Sequence, residues 1–393
     1  MKIFISSTGY PPYISGVATA TANLAQSLAR RHQVTVLSST TVKKPHTQLI
    51  NSNLTLHLFP GVNFHQRASL TIPYPYPKKI KNLILSIQPD IIHLQDFSPL
   101  GLSALALANE INIPAVITHH FTAEFVFKTI ITDKRISDLL CQNSTTKQLI
   151  YWLANLIYNK SQLITVPNPQ LIPLFKTAGL KTPIISIPNG IITKNFQFKT
   201  SFSQLKQQYH LTGSKYILFV GRLDSDKNLE ILISAFKLLT HSHPDVNLLI
   251  VGEGNQQTAL LKQIKKLKLS SKTFLLGKID NQTKSLSHLY NTASVFVNPS
   301  IIENQSVSFI EAFSAGLPIV AANHPLQTDF IKNKINGLLA KSNNPTSFAQ
   351  AIKQILSDSS LASTISRNNR LKAKDFDIDK TSQQYLQAYK SLL

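Results

Sequence analysis

Short apolar segments alternate with helical patterns along the whole chain, and this alternation restricts the fold more than any other feature. Apolar runs of about five residues are typical of strands that are buried on both faces. They predict strands at residues 2–6, 33–38, 54–58, 90–94, 115–118, 163–166, 184–187, 216–220, 247–251, 273–276, 295–297 and 318–321. The segments between them, such as residues 17–31, have small and apolar residues at helical spacing. Strands that alternate with helices favour parallel sheets covered by helices, so the predicted class is α/β.

The alternation occurs in two successive halves, and a chain of 393 residues is too long for one ordinary core. A Pro-Asn-Gly sequence at residues 188–190 separates the halves. Proline fixes φ, and Asn-Gly readily takes positive φ, which suits a turn or hinge. We therefore predict a Rossmann-like domain at residues 1–187, a second at 188–374, and a C-terminal helix at 375–393 that packs back on the first domain. Ligands of open parallel sheets bind at the carboxyl ends of the strands, so the two domains are expected to face a cleft.

The charge balance is strongly basic, with 40 Lys and Arg against 19 Asp and Glu and a formal net charge of +21. Both halves carry a similar excess, so the charge is not a basic tail. Such a charge favours nucleic acid, an anionic membrane surface or phosphorylated small molecules as partners, although a general lysine-rich composition explains it equally well. No zinc-finger, RRM or helix-turn-helix motif occurs, so we predict no nucleic-acid partner.

The single cysteine, Cys141, excludes an internal disulfide and a cysteine-based zinc cluster, and it fits a reducing compartment. No run approaches eighteen apolar residues, so a membrane-spanning helix is not expected. The apolar stretch after Lys2 stops at Ser6, which is too short for the core of a signal peptide. These features predict a cytoplasmic protein.

The loop at residues 221–227, Gly-Arg-Leu-Asp-Ser-Asp-Lys, directly follows a predicted strand and precedes a helical pattern. Gly221 allows a close backbone approach to a ligand, Arg222 offers a bidentate fork for phosphate, and Lys227 adds a charge near a helix N-terminus. We interpret the loop as a phosphate-binding site. The alternative interpretation is an ordinary solvated loop.

Two aspartates in this loop, Asp224 and Asp226, imitate a two-aspartate metal motif. Because they stand beside basic residues, we expect them to form local ion pairs or to cap the helix at Asn228. No metal site is therefore predicted.

Two later segments are expected to line the same cleft. Gly252 and Gly254 follow a predicted strand, although an isolated Gly-x-Gly is weak evidence. Glu303 follows another strand, and Glu311 lies eight positions later in a helical pattern at residues 306–315, so the two carboxylates can share a face. Such a pair suits the recognition of hydroxyl groups on a sugar and a ribose.

The segment at residues 133–160 is predicted to be mostly helical. Tyr151, Trp152, Leu156 and Tyr158 give it a bulky apolar face. Such a face is usually part of a core, and we expect it to be buried here.

Six short motifs occur along nearly the whole chain: Pro11-Pro12 with Ser15-Gly16, Thr118-His119-His120, Pro188-Asn189-Gly190, Gly221-Arg222 with Lys227, Gly252 with Gly254, and Glu303 with Glu311 before Ala315-Gly316-Leu317-Pro318. In order and spacing they resemble the motifs of the family-4 retaining glycosyltransferases. The resemblance implies the GT-B fold, in which two Rossmann-like domains face a cleft.

For the second domain, the resemblance implies that Arg222 and Lys227 hold the donor diphosphate and stabilise the leaving group. It implies that Glu311 binds the ribose hydroxyls and that Glu303 contacts the donor sugar. Gly221 and the glycines at 252 and 254 would line the donor site. The residue after the first glutamate is Asn304 where the family commonly has glycine, so the donor sugar is not fixed by the resemblance.

For the first domain, the resemblance implies that the backbone at Gly16 approaches the phosphates and that His120 lies near the reacting sugar. The family pattern is Thr-x-His, which favours His120 over His119. Ser15 stands where the family commonly has a second glycine.

The implied activity is the transfer of a hexose from a nucleotide-diphosphate sugar, with glucose and UDP expected, to a hydroxyl acceptor. No cofactor or metal is expected. The segment Ile72-Pro73-Tyr74-Pro75-Tyr76-Pro77, followed by Lys78, Lys79 and Lys81, combines aromatic and basic residues that suit an anionic membrane surface. The segment at residues 95–101, Gln-Asp-Phe-Ser-Pro-Leu-Gly, resembles the branch that glucosylates diacylglycerol or related lipids, when it is taken with Thr118 and His120 and with Glu124 downstream.

We therefore expect a lipid acceptor and peripheral association with the inner face of the cell membrane. The alternatives are a mannosyl- or other hexosyltransferase that acts on a polysaccharide or a lipid-linked oligosaccharide, and a nucleotide-sugar 2-epimerase of the same fold.

Overall fold

The computed structural model describes residues 1–13, 15–63, 71–131, 133–197, 206–207, 209–279 and 284–393. The chain divides into two compact units. Unit 1 comprises Met1–Gly190 and Ile378–Leu393, and unit 2 comprises Ile191–Asp377. The C-terminal segment thus belongs to the same unit as the N-terminal half of the chain.

Each unit contains its own β-sheet. The strands of unit 1 are β1 (Lys2–Ser6), β2 (Gln33–Thr40), β3 (His46–Asn51), β4 (Leu54–Asn63), β5 (Thr71–Pro73), β6 (Ile91–Leu94), β7 (Ala115–Thr118), β8 (Leu163–Val166) and β9 (Ile184–Ser186). The strands of unit 2 are β10 (Lys215–Val220), β11 (Val246–Val251), β12 (Thr273–Leu275), β13 (Val295–Asn298), β14 (Ile319–Ala322) and β15 (Leu338–Ala340). The order in unit 1 is β3-β4-β2-β1-β6-β7-β8-β9, with β5 beside β4. Strands β3 and β5 run antiparallel to β4, and the other pairs are parallel. Unit 2 has the order β12-β11-β10-β13-β14-β15, with every pair parallel.

Helices connect the parallel strands and cover the sheets. They are α1 (Gly16–Leu28), α2 (Pro77–Ile87), α3 (Pro99–Glu110), α4 (Ala123–Ile130), α5 (Lys134–Gln142), α6 (Ser144–Tyr158), α7 (Leu171–Thr177), α8 (Leu229–Leu239), α9 (Gln257–Lys266), α10 (Lys284–Thr292), α11 (Val307–Ala315), α12 (Pro325–Thr328), α13 (Pro345–Ser357), α14 (Ser359–Ala373) and α15 (Ile378–Lys390). This arrangement confirms the predicted α/β class with two Rossmann-like domains.

The central strands were predictable because they are buried on both faces. Every residue of β6, β7, β8, β11, β13 and β14 is buried, and their sequences are nearly continuous apolar runs. The sequence pattern missed β3, which is an antiparallel edge strand with five of its six residues exposed. It also missed β5 and β15, which have three residues each.

The Pro-Asn-Gly sequence at residues 188–190 does not contain the expected positive φ at either Asn189 or Gly190. A Cβ atom at Gly190 would lie 2.8 Å from side-chain atoms of both Ile378 and Thr381 on α15. Glycine is needed here because the C-terminal helix packs directly against this backbone.

The bulky face predicted on α6 is only partly buried. Tyr151 and Tyr158 are buried as expected, whereas Trp152 and Leu156 are about half exposed. The prediction of a core position was wrong for these two residues, because α6 has large apolar side chains on two opposite faces. No helix of the described residues is both long enough and apolar enough to cross a membrane.

Candidate active site

The carboxyl ends of β10, β11 and β13 lie at one edge of the unit 2 sheet, because these three neighbouring strands are parallel. The loops that follow them carry the residues singled out in the sequence. After β10 come Gly221, Arg222 and Lys227, and after β13 comes Glu303. The topology therefore brings together groups that are far apart in the sequence.

The glycines of the loop after β11 are required by the backbone of the loop after β10. Gly252 has a φ of +137°, and a Cβ atom there would overlap the carbonyl oxygen of Gly221. A Cβ at Gly254 would collide with the backbone of Leu223, whose N–H donates to the Glu253 carbonyl at 2.9 Å. This close contact of two backbones explains both glycines without reference to a ligand.

Arg222 is held by the two aspartates of its own loop. Its guanidinium donates to a carboxylate oxygen of Asp224 and, at 3.2 Å, to Oδ2 of Asp226. Both aspartates are buried, and the Arg222 side chain is only 18% exposed. The prediction of local ion pairs is thus confirmed, whereas Asn228, which precedes α8, makes no side-chain cap.

Lys227 is the second cation of this site and forms two ion pairs. Its Nζ donates to Oε1 of Glu303 at 2.6 Å and lies 3.6 Å from Oδ2 of Asp226. Asn298, the last residue of β13, donates from Nδ2 to the same Glu303 oxygen at 3.4 Å. Because Glu303 follows β13 and is itself hydrogen-bonded by Asn298, it fixes Lys227 at the edge of the sheet.

We call Arg222, Asp224, Asp226, Lys227 and Glu303 the charged cluster. It contains three carboxylates and two cations, so the carboxylates outnumber the cations. The ammonium of Lys227 has three N–H donors and gives one of them to Glu303, so it can also donate to an anionic ligand. The guanidinium of Arg222 is a planar fork of donors that suits an oxyanion, and its two carboxylate partners fix its orientation.

Glu311 lies on α11, eight positions after Glu303 in the chain, and is buried with 4% exposure. Burial raises the pKa of its carboxyl group to about 7, although a hydrogen bond that the Tyr290 hydroxyl donates at 2.7 Å opposes the shift. Sequence reasoning missed Tyr290, since nothing in the pattern of α10 distinguishes it from a core residue. A buried carboxyl group that titrates near neutrality is a strong acceptor whenever it is ionised.

In unit 1, Gly16 is the first residue of α1 and is exposed. The side chain of Ser15 caps this helix by accepting from the N–H of Ala18 at 3.0 Å. The exposed N-terminus of α1 thus presents backbone N–H groups at the carboxyl end of β1, which is an arrangement that suits a phosphate.

The two adjacent histidines after β7 have different environments. His119 is buried among aromatic rings, with its ring 4.7 Å from that of Phe175 and its Nδ1 hydrogen-bonded to the Tyr158 hydroxyl. Burial lowers its pKa to about 3. His120 is partly exposed, and its Nε2 donates to Oε1 of Gln95 at 2.7 Å. Desolvation lowers the pKa of His120 to about 4, so its imidazole is neutral at pH 7.

Behind Gln95 lies a buried polar network that sequence reasoning missed. Nε2 of Gln95 lies 3.1 Å from Nε2 of His93, and Nδ1 of His93 lies 2.6 Å from the Tyr389 hydroxyl on α15. His93 also hydrogen-bonds the hydroxyl of Thr118, the last residue of β7. The C-terminal helix thus supports the strand edge from which His120 projects. The only sequence clue was the position of Gln95 directly after β6, which is the neighbour of β7.

The aromatic and basic segment predicted to face a membrane forms β5 and the start of α2. Ile72 and Tyr74 are 40% and 49% exposed. Tyr76 instead packs on Phe59, with ring centroids 5.0 Å apart, and Lys81 pairs with Glu110 at 2.7 Å. Part of this segment is therefore available at the surface, and part is packed on its own unit.

Comparison with protein families gives two matches that follow each other along the chain. The family model described as "Glycosyltransferase Family 4" matches residues 14–195, and the model described as "Glycosyl transferases group 1" matches residues 201–372. The first match lies almost entirely in unit 1 and the second in unit 2.

Among curated proteins, the chain is 25% identical over 390 residues to an alpha-monoglucosyldiacylglycerol synthase of Acholeplasma laidlawii, with 96% of this chain and 93% of that protein covered. A protein of the same name from Streptococcus pneumoniae is 24% identical over 344 residues, with 86% and 75% covered. Among solved structures, Anabaena HepE in complex with UDP-glucose has a TM-score of 0.75 at 19% identity, with both chains fully covered. This likeness confirms the predicted GT-B fold.

Proposed function

Because the chain belongs to the family-4 glycosyltransferases, we propose that it transfers glucose from UDP-glucose to a hydroxyl group of a membrane lipid. Support for the lipid and for glucose comes from the two relatives named as alpha-monoglucosyldiacylglycerol synthases. Support for the donor comes from HepE, which was solved with UDP-glucose at 19% identity. The test must distinguish this activity from that of another hexosyltransferase and from that of a nucleotide-sugar 2-epimerase.

The observation that carries the proposal is the pair of cations at the carboxyl edge of the unit 2 sheet. Glycosyl transfer develops positive charge on the sugar and negative charge on the departing diphosphate. Arg222 and Lys227 are already oriented by buried carboxylates, so they can stabilise the leaving group without reorganising during the reaction. In the proposed site Glu311 accepts from the ribose hydroxyls, and Glu303 accepts from a hydroxyl of the donor sugar.

We propose that the configuration of the sugar is retained. In this scheme the acceptor hydroxyl attacks from the side of the leaving group, and an oxygen of the diphosphate takes the acceptor's proton. The bond from the sugar to the diphosphate breaks as the bond to the acceptor forms, and UDP leaves with the bonding electrons. His120, neutral at pH 7, would hydrogen-bond the reacting sugar without adding a positive charge next to it.

We also propose that no divalent metal is needed. The two cations supply the positive charge that a metal would otherwise supply. Asp224 and Asp226, which resemble a metal motif in the sequence, are both engaged by Arg222. Activity should therefore persist in EDTA.

The proposed location of the protein is the cytoplasmic face of the cell membrane, where it would bind peripherally to anionic lipid. Exposed Ile72 and Tyr74 and the exposed lysines at 78 and 79 support this location. The net charge of +21 supports it as well, because each basic residue near an anionic surface contributes about 1 kcal/mol.

The test is transfer of labelled sugar from UDP-glucose to dioleoylglycerol in mixed vesicles, with glycogen as the polysaccharide acceptor and GDP-mannose as the competing donor. We expect labelled glucosyldiacylglycerol with the α configuration, and an Arg222→Ala variant serves as the control for enzyme-dependent transfer. Label only in glycogen, transfer only from GDP-mannose, or release of a free 2-epimerised sugar would each contradict the proposal and select one alternative.

A further inference from the structure

Helix α6 exposes a continuous apolar stripe on the side opposite its buried face. Four side chains are between 46% and 53% exposed: Leu149, Trp152, Leu153 and Leu156. Their spacing of three, four and seven positions places them on one side of the helix over about 10 Å. The buried side chains Tyr151, Asn155 and Tyr158 lie on the other side. The helix is therefore anchored by one face and presents a second apolar face to the outside.

The preceding helix, α5, also exposes large apolar side chains. Ile136 and Leu139 are three positions apart and are 52% and 67% exposed, and α5 packs against α6. Asn143 joins the two helices, since its side chain accepts from the N–H groups of Thr145 and Thr146 at the start of α6. Single exposed apolar residues are common on proteins, but six large ones on two packed helices indicate a binding surface. We call these six side chains the apolar face.

The charges around the apolar face favour a lipid bilayer over a second copy of the chain. Residues 148–159 contain no charged side chain, and Arg135 and Lys160 are exposed. Residues 134–158 as a whole carry three basic residues, Lys134, Arg135 and Lys147, against one acid, Asp138. A second copy would bring together two chains that each carry +21, whereas an anionic lipid surface attracts such a chain. Tryptophan and leucine are also the side chains that an interfacial helix places at the boundary between headgroups and acyl chains.

We propose that the apolar face docks on an anionic bilayer, with α5 and α6 lying in the interface and their six large side chains reaching the acyl boundary. The choice of a lipid occupant rests partly on the proposed transfer to a lipid acceptor. The surface differs from the aromatic and basic segment at residues 72–81, and it supplies the apolar contact that lysines alone do not provide.

Trp152 makes this inference directly measurable, because it is the single tryptophan of the protein. Its emission is recorded while vesicles of phosphatidylcholine with increasing phosphatidylglycerol are added. We expect a blue shift that grows with phosphatidylglycerol content, and quenching when the acyl chains carry bromine. Co-sedimentation with the vesicles without any change in Trp152 emission would overturn the proposal, and so would the absence of binding.

A matched pair of double variants tests the face itself. Leu149→Gln with Leu156→Gln removes two half-exposed leucines from the apolar face. Leu238→Gln with Leu371→Gln removes two helical leucines of similar exposure, 52% and 56%, from unit 2. Burial of the exposed halves of two leucines corresponds to about tenfold or more in vesicle affinity. We expect vesicle affinity to fall by about this factor in the first variant and by less than about twofold in the second. Circular dichroism and thermal midpoints should be unchanged in both. Equal affinities in the two variants would refute the docking face.

Two further measurements separate this proposal from its alternatives. A dimer in lipid-free sedimentation that the Leu149 and Leu156 double variant abolishes would assign the face to a second copy and overturn the bilayer proposal. Transfer to a dispersed short-chain diacylglycerol tests the proposed function without a bilayer. If the parent protein binds vesicles through Trp152 but glucosylates no lipid, the proposed function fails and the docking face stands. If the parent glucosylates lipid while the double variant binds vesicles like the parent, only the docking face fails.

Discussion

Replacement of Lys227 by methionine removes the cation that compensates Glu303. The two side chains are each 13% exposed and are joined by a 2.6 Å hydrogen bond. Among the residues that the structure describes, Glu303 then keeps the weaker hydrogen bond from Asn298 at 3.4 Å and no counter-charge, so a largely buried carboxylate is left uncompensated. Methionine preserves most of the length of the lysine side chain, so the loss of packing is small.

The expected cost follows from the loss of one charge-assisted hydrogen bond at a mostly buried position. Such a loss is worth about 2–3 kcal/mol. For a unit of this size it corresponds to a fall of roughly 5–10 °C in the thermal midpoint. The chemical step loses a cation that the proposed mechanism places on the leaving group, which corresponds to about 100-fold or more in kcat.

The two effects are separated by a four-member cycle of the parent, Lys227→Met, Glu303→Gln and the double variant. Thermal unfolding should show that the double variant regains most of the stability lost in Lys227→Met, because no uncompensated charge is left. Transfer from UDP-glucose should stay low in the double variant. Recovery of transfer together with stability would show that Lys227 has only a structural role, and parent-like activity in Lys227→Met would refute its role on the leaving group.

Two further predictions concern side chains with shifted pKa values. The pKa of Glu311 is raised from 4.5 to about 7, so its contribution to stability is complete below about pH 4.5 and is lost as the pH rises through 7. In the Glu311→Gln variant the free energy of unfolding in urea should therefore fall less between pH 5 and 8 than in the parent. The variant should also bind UDP more weakly in calorimetry. Parent-like results in both measurements would contradict the role assigned to Glu311. His119→Ala should leave a cavity among aromatic rings and cost about 2 kcal/mol or more in stability, whereas His120→Ala should mainly lower kcat. The reverse pattern would exchange the roles of the two histidines.

The parts of the fold that could be predicted are those in which burial produces a recognisable run of apolar residues in the sequence. Strands β10 and β11 are nearly continuous apolar runs because both of their faces are largely buried. The edge strand β3 has no such apolar run, because most of its residues are exposed and its pairing with β4 is made by backbone hydrogen bonds. The faces of α6 could not be ranked from the sequence either, because both are apolar and only the tertiary structure determines which one is buried.

The same limit applies to the candidate site. Positions directly after strands, such as Arg222, could be selected because all parallel strands of a sheet end at the same edge. The partners of such residues could not be selected, because they lie far away in the sequence. Lys227 and Glu303 are 76 positions apart, and His93 and Tyr389 are 296 positions apart. The sequence of the loop therefore predicts a positive phosphate-binding site, whereas in the structure the carboxylates of the charged cluster outnumber its cations.

This composition of the charged cluster bears on the meaning of the net charge. The excess of +21 lies outside the cluster, because Asp224, Asp226 and Glu303 outnumber Arg222 and Lys227. If the excess charge attracts an anionic membrane, salt should weaken the binding of the protein to lipid far more than its binding of the donor. Exposed charges are screened within about 10 Å at 0.1 M salt, whereas the charged cluster is shielded from solvent. Raising sodium chloride from about 50 to about 500 mM should therefore increase the apparent KM for acceptor in phosphatidylglycerol vesicles by about tenfold or more. The KM for UDP-glucose should change by less than about twofold, and neutral phosphatidylcholine vesicles serve as the control. A donor KM that responds to salt as strongly as the acceptor KM would place the functional positive charge at the donor site and refute this assignment.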